Sequence, residues 1–302
     1  MRAEFAQAII RARAQHPEFL FLTGDLGYMA LEGVREHYGD RFINAGVAEQ
    51  NMISVAAGLA RGGFVPWVYS IAPFAVLRPY EQIRNDVCLH GLPVKIVGNG
   101  GGYGYGIMGA THHTLEDIAV MRVLPRMRVY IPLTGEDVED AVGLMGRDPS
   151  PNYLRLNLPV RVDEGTPPFA PWRRIRRGRR AVVIGAGPVL GNILALKEEA
   201  FREGLDIWCA GILPLEELPE ELVESIRRTG RVVTVEEHYR ECGLNEAVAA
   251  RILPGVQGPL RWKALAADGY PSGRYGSQAW HQRENALAGE GLARHLKEVL
   301  DA

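Results

Sequence analysis

Short apolar runs alternate with longer segments of helical period along this chain, and the alternation happens twice. Apolar runs at 19–22 (FLFL), 65–69 (VPWVY), 94–98 (VKIVG), 128–132 (RVYIP) and 153–156 (YLRL) read as strands. Helical patterns at 3–16, 49–61, 78–91, near 114–122 and at 135–146 separate them. Strands separated by helices line up in parallel, with helices on both faces of the sheet. The pattern restarts at 181–187 (AVVIGAG), with further strands at 206–211, 231–238 and 261–265. Helices are expected at 189–203, 219–230, 243–253 and 284–300. The expected fold class is α/β, with two three-layer α/β domains of which the second is smaller. Their expected extents are 1–165 and 181–302, joined by a linker at 166–180 where periodicity gives way to Pro, Gly and Arg. A length of 302 residues suits two domains of about 150 each.

Arg173, Arg174, Arg176, Arg177, Arg179 and Arg180 crowd that linker. A net charge of −2 and a single aromatic neighbour, Trp172, favour a solvated or subunit-facing segment over a polyanion site. The balance gives no drive toward nucleic acid or a membrane surface. No stretch approaches the roughly 20 apolar residues of a membrane span, and MRAEFAQAIIRARAQ carries charges where a secretory signal is apolar. Cys88, Cys209 and Cys242 lie far apart, which argues against a zinc site or disulfide framework and points to a reducing cytoplasm. GAGPVLG (185–191) imitates a dinucleotide fingerprint. The acid expected at the end of the next strand is replaced by Cys209-Ala210-Gly211, so a tight strand-to-helix turn is the better reading.

Two segments carry candidate chemistry. In FINAGVAEQNMISVAAGLARGG (42–63), Glu49 enters the first turn of an otherwise apolar helix. A helix start welcomes an acid, but a carboxylate among apolar side chains is costly unless paired or neutralised. In NGGGYGYGIMGATHH (99–113), glycines alternate with Tyr103 and Tyr105, and the loop ends in Thr111, His112 and His113. Loops leaving parallel strands are where such folds place ligands. Adjacent histidines without a Cys or carboxylate cluster do not make a metal site, so substrate contact is expected and no metal ligand is assigned.

GVAEQNM (46–52), YEQIRND (80–86), GATHH (109–113) with LED (115–117), and RVVTVEEH (231–238) together resemble the C-terminal half of a transketolase. The likeness keeps the order of the motifs and covers nearly the whole chain. It implies a thiamine-diphosphate pyrimidine-binding (Pyr) domain followed by the transketolase C-terminal domain. It also implies that Glu49 hydrogen-bonds the aminopyrimidine of thiamine diphosphate, its carboxyl kept protonated by an apolar surround. Phe74 and Tyr80 would contact the pyrimidine ring. His112, with His113, Tyr103 and Tyr105 around it, would touch substrate, and Arg155 would bind the phosphate end of a sugar phosphate.

Two positions depart from the family pattern. Met108 stands where an acid commonly precedes the glycine of the His motif, and Gly100 stands where a histidine is usual. Both usual residues contact sugar hydroxyls, so the departures bear on the donor substrate.

A Gly-Asp-Gly diphosphate and Mg²⁺ motif is absent from the sequence. The resemblance therefore implies a separately encoded N-terminal subunit that holds the diphosphate and Mg²⁺, with two copies of each chain and active sites between subunits. The expected reaction is transfer of a two-carbon ketol unit from a ketose phosphate to an aldehyde. The alternative is a β-type subunit of an enzyme decarboxylating a 2-oxo acid such as pyruvate and transferring the acyl unit. A non-catalytic binding module is the third reading.

Overall fold

The computed structural model describes residues 1–27, 29–162, 165–256 and 258–301. A seven-stranded sheet forms the first unit, built from β1 (Phe19–Thr23), β2 (Phe42–Asn44), β3 (Val65–Ile71), β4 (Lys95–Asn99), β5 (Arg128–Tyr130) and β6 (Asn152–Leu156), with a seventh strand contributed from further along the chain. These six run parallel in the spatial order β5-β6-β4-β3-β1-β2. Successive residues of a strand point to opposite faces, and both faces here are apolar. Leu20 and Leu22 of β1 face the helix Glu49–Arg61 through Met52, Ile53 and Ala56. Phe19 and Phe21 face the helices Arg2–Gln15 and Asp137–Arg147 through Phe5, Ile9 and Met145. That double cover is why FLFLT is buried at all five positions and shows no polar alternation.

The second unit is a five-stranded sheet of β7 (Trp172–Arg176), β8 (Ala181–Gly185), β9 (Leu205–Ala210), β11 (Arg231–Tyr239) and β12 (Arg261–Ala267), ordered β12-β11-β8-β9-β7. Only its edge strand β7 is antiparallel. β7 lies inside the expected linker at 166–180, and its buried Arg173 departs from the solvated segment expected there. Arginine can serve in a strand when each guanidinium finds a carboxylate. The buried Arg173 reaches Asp137 at 2.7 and 2.5 Å, while Arg174 forks onto Asp206 at 2.7 and 2.8 Å. The strand β10 (Ile212–Leu213) leaves the second sheet and pairs antiparallel with β5, extending the first. One apolar cluster runs from Val129 and Ile131 through Leu213 to Trp208 and Val232, joining the units.

Two helices differ from expectation. The segment expected at 78–91 is a short turn, Tyr80–Gln82, running into a π-helical stretch, Ile83–Cys88. The helix expected at 189–203 is broken into Leu190–Leu194 and Glu199–Gly204. Among the described residues no helix is long and apolar enough to cross a membrane.

Candidate functional site

The register of the first sheet aligns Ile71 with Asn99 and Asn99 with Leu156, so β3, β4 and β6 end together. Segments leaving that carboxyl edge carry most of the expected site residues, as in other parallel sheets. After β2, Asn44 Oδ1 accepts from Asp25 N and Gly46 N at 3.0 Å each, and Gly46 turns the chain at φ +69°. Glu49 is then the first residue of the next helix and only 3 % exposed. The apolar surround expected to keep its carboxyl protonated is incomplete. Arg78 Nη1 donates to both Glu49 oxygens at 2.8 Å, and the Arg78 side chain is 43 % exposed.

Phe74, in the helix Ala72–Val76 that follows β3, lies beneath that guanidinium, 4.2 Å from ring centroid to Arg78 Cζ. Its ring meets His112 edge-on at 5.3 Å, and His112 lies 5.9 Å from Tyr105. Glu49, Arg78, Phe74, His112 and Tyr105 thus form one continuous strip. Tyr80 is only partly buried; it donates its hydroxyl to Val120 O at 2.8 Å, and its ring packs on the apolar cluster between the units. Arg78 was missed by sequence reasoning. The available signal was its spacing of four from Phe74.

The loop after β4 is held at its base. Gly100 N and Gly101 N donate to Leu156 O, and Gly102 and Thr114 exchange backbone hydrogen bonds at 2.8 and 2.9 Å. Thr111 Oγ1 lies 2.9 Å from His112 Nδ1 at the half-exposed end. The other expected substrate residues of this loop are placed differently. Tyr103 is fully buried, donates its hydroxyl to Gly269 O at 2.6 Å and stacks on His281 at 4.8 Å. His113 is buried between Gly106 O, 2.7 Å from Nε2, and the Tyr270 hydroxyl, 2.9 Å from Nδ1. A carbonyl only accepts, so Nε2 carries the proton and Nδ1 accepts from Tyr270. Burial pushes its pKa down to about 4.

Arg155 is likewise corrected. Instead of facing a phosphate it is 2 % exposed, bonded through Nε to Asp117 at 2.8 Å and through Nη2 to Glu237 O at 2.9 Å. Three donors converge on the Glu237 carboxylate: Tyr103 N at 2.6 Å, Gln278 Nε2 at 2.9 Å and Gln282 Nε2. Its neighbours in the EEH motif are also committed. Glu236 accepts from Leu244 N and from Asn245 N at 2.6 and 2.9 Å, at the start of the helix Leu244–Ile252. His238 accepts from Ala119 N at 3.2 Å. Tyr103, His113 and Arg155 are therefore committed to Gly269, Tyr270 and the EEH motif of the second unit, while His112 and Tyr105 stay partly exposed beside the exposed Ile107, Met108 and Thr111.

Residues 1–159 match the family described as "Transketolase, pyrimidine binding domain", and residues 170–272 match "Transketolase, C-terminal domain". The chain is 31 % identical over 261 residues to one of the subunits of the apulose-4-phosphate transketolase of Phocaeicola vulgatus, spanning 82 % of this chain and 81 % of that one. It is 30 % identical over 269 residues to "6-deoxy-6-sulfo-D-fructose transketolase subunit SqwH" of a Clostridium species, with 86 % and 83 % covered. A solved structure described as "Split gene transketolase, inactive beta4 tetramer" superposes with a TM-score of 0.84 at 28 % identity, covering 99 % of this chain and 97 % of the other.

Proposed function

This chain belongs to the transketolase family, and from that premise we propose that it is the C-terminal subunit of a split, thiamine-diphosphate-dependent transketolase. It transfers a two-carbon ketol unit from a ketose phosphate to an aldehyde acceptor. The single observation that carries this reading is Glu49, a carboxylate buried at a helix start on the carboxyl edge of the sheet and linked through Arg78 to the Phe74 ring, which in turn meets His112. The transketolase names of its relatives favour ketol transfer over 2-oxo-acid decarboxylation.

The donor set fits the ring end of thiamine diphosphate. Glu49 would hold the ring by a hydrogen bond and Phe74 would be its aromatic neighbour, with Arg78, now paired to Glu49 over the Phe74 ring, at the opening. The cofactor, when bound, supplies the carbanion chemistry and acts as the electron sink. This chain holds the ring through Glu49, excludes water with Phe74 and orients a substrate oxygen with His112. The diphosphate and Mg²⁺ fall to a separately encoded partner, two copies of each chain making the assembly. The three cysteines are free, in keeping with a cytoplasmic setting.

Mixing the chain with that partner, thiamine diphosphate and Mg²⁺ tests the reading. Ketol transfer should appear only in the mixture, and Glu49→Gln should lower kcat by roughly 10²–10⁴-fold. Unchanged turnover by the Glu49→Gln complex rejects it, as does tight thiamine diphosphate binding by the isolated chain.

A further inference from the structure

Of the two partly exposed rings on the clamped loop, His112 and Tyr105, Tyr105 has no role in the scheme above. Its hydroxyl oxygen accepts from Asn99 Nδ2 at 2.9 Å. A phenol that accepts one hydrogen bond keeps its own proton to donate, and burial raises its pKa so that the proton stays. Asn99 is the last residue of β4, held in register between Ile71 and Leu156, so the phenol is fixed by a strand end rather than by the loop alone.

Gly100 completes the arrangement. At φ +78° a Cβ built on it would overlap the Tyr105 ring, so Tyr105 fills the volume that a side chain at 100 would need. The rings of Tyr105 and His112 lie 5.9 Å apart on the half-exposed side of the loop, and a substrate chain passing over one passes over the other. Beside them Ile107 and Met108 are exposed by 77 % and 54 %, an apolar border to the two polar ends.

We propose that Tyr105, held by Asn99 in the space left by Gly100, is a specificity-determining residue that donates a hydrogen bond to a hydroxyl or carbonyl oxygen of the substrate. The substrate class it selects bears an oxygen at the carbon that lies over this ring. This assignment rests on the ketol-transfer reading above.

The test uses the complex reconstituted with its diphosphate-binding partner, thiamine diphosphate and Mg²⁺. A ketose phosphate and its monodeoxy analogues are the probes, with wild type and Tyr105→Phe compared. A site built to bond a hydroxyl rejects the analogue lacking it. Wild type should discriminate against one analogue by roughly 10–100-fold in kcat/KM, by the worth of one buried hydrogen bond. Tyr105→Phe should abolish that discrimination while leaving thiamine diphosphate affinity unchanged. Retention of wild-type ratios across the series by Tyr105→Phe overturns the assignment. If the wild-type complex transfers no ketol unit, the proposed function fails on its own. Calorimetric binding of the ketose phosphate then still reads Tyr105: weaker binding by Tyr105→Phe supports it, and equal or absent binding rejects it.

Discussion

Arg78 Nη1 sits 2.8 Å from each oxygen of Glu49, although the two residues are 29 positions apart and belong to segments leaving different strands. The carboxylate is 3 % exposed and the arginine 43 %. Breaking a fully buried pair costs several kcal/mol, but solvent around Arg78 screens this one. A double-mutant cycle of Glu49→Gln and Arg78→Met, read by urea denaturation, should give a coupling of about 1 kcal/mol. Strict additivity contradicts the pairing.

The Arg155–Asp117 pair is the opposite case, with side chains 2 % and 0 % exposed. Asp117 also accepts from the Tyr153 hydroxyl at 2.7 Å. Arg155→Met alone should destabilise by about 3–5 kcal/mol, because it leaves an uncompensated buried carboxylate. Combining it with Asp117→Leu should recover part of the loss. Denaturation midpoints of the two variants decide the point, and a single variant as stable as the double rejects it.

The strand–helix alternation made the α/β architecture legible because parallel strands covered on both faces read as short continuous apolar runs set between longer helical segments. The burial of Glu49 was legible as well, since it is an acid alone at the start of an apolar helix. What the chain order hides is which side chains meet. Arg155 lies near the end of a strand and carries a charge, and only the fold reveals Asp117 against it. β7 was invisible because consecutive arginines mask any alternation, and their partners Asp137 and Asp206 come from other elements. Tyr103 and Tyr105 look equivalent among glycines, yet one is sealed under the second unit and the other is only partly buried, its hydroxyl held by Asn99.

Glu237 accepts from three N–H donors, one from the glycine-rich loop and two from the helix Gln278–Glu284. Glu237→Gln brings an NH₂ group to face those donors. The expected cost is about 1–3 kcal/mol, with faster amide exchange across residues 100–114. Hydrogen–deuterium exchange by mass spectrometry reads this directly. Unchanged protection in that loop would show that the clamp lies elsewhere.

His113 links stability to pH. Its pKa falls from 6.5 to about 4 in the fold, mainly through burial. Between those values the unfolded chain binds the extra proton, so stability is fully present above pH 6.5 and is lost as pH falls toward 4. Urea midpoints taken from about pH 7 to about pH 4 should decline, and the slope should be shallower in His113→Leu. Equal slopes in both proteins would remove His113 from the account.

Ile212 and Leu213 complete the first sheet from a position well inside the second half of the chain. Severing the backbone in the Pro- and Arg-rich stretch would therefore strip the outermost rung from the amino-terminal piece and bare the hydrogen-bonding groups of Arg128–Tyr130. A break at that seam would also part the shared apolar cluster, uncovering Val129 and Ile131 on one piece and Leu213 and Trp208 on the other.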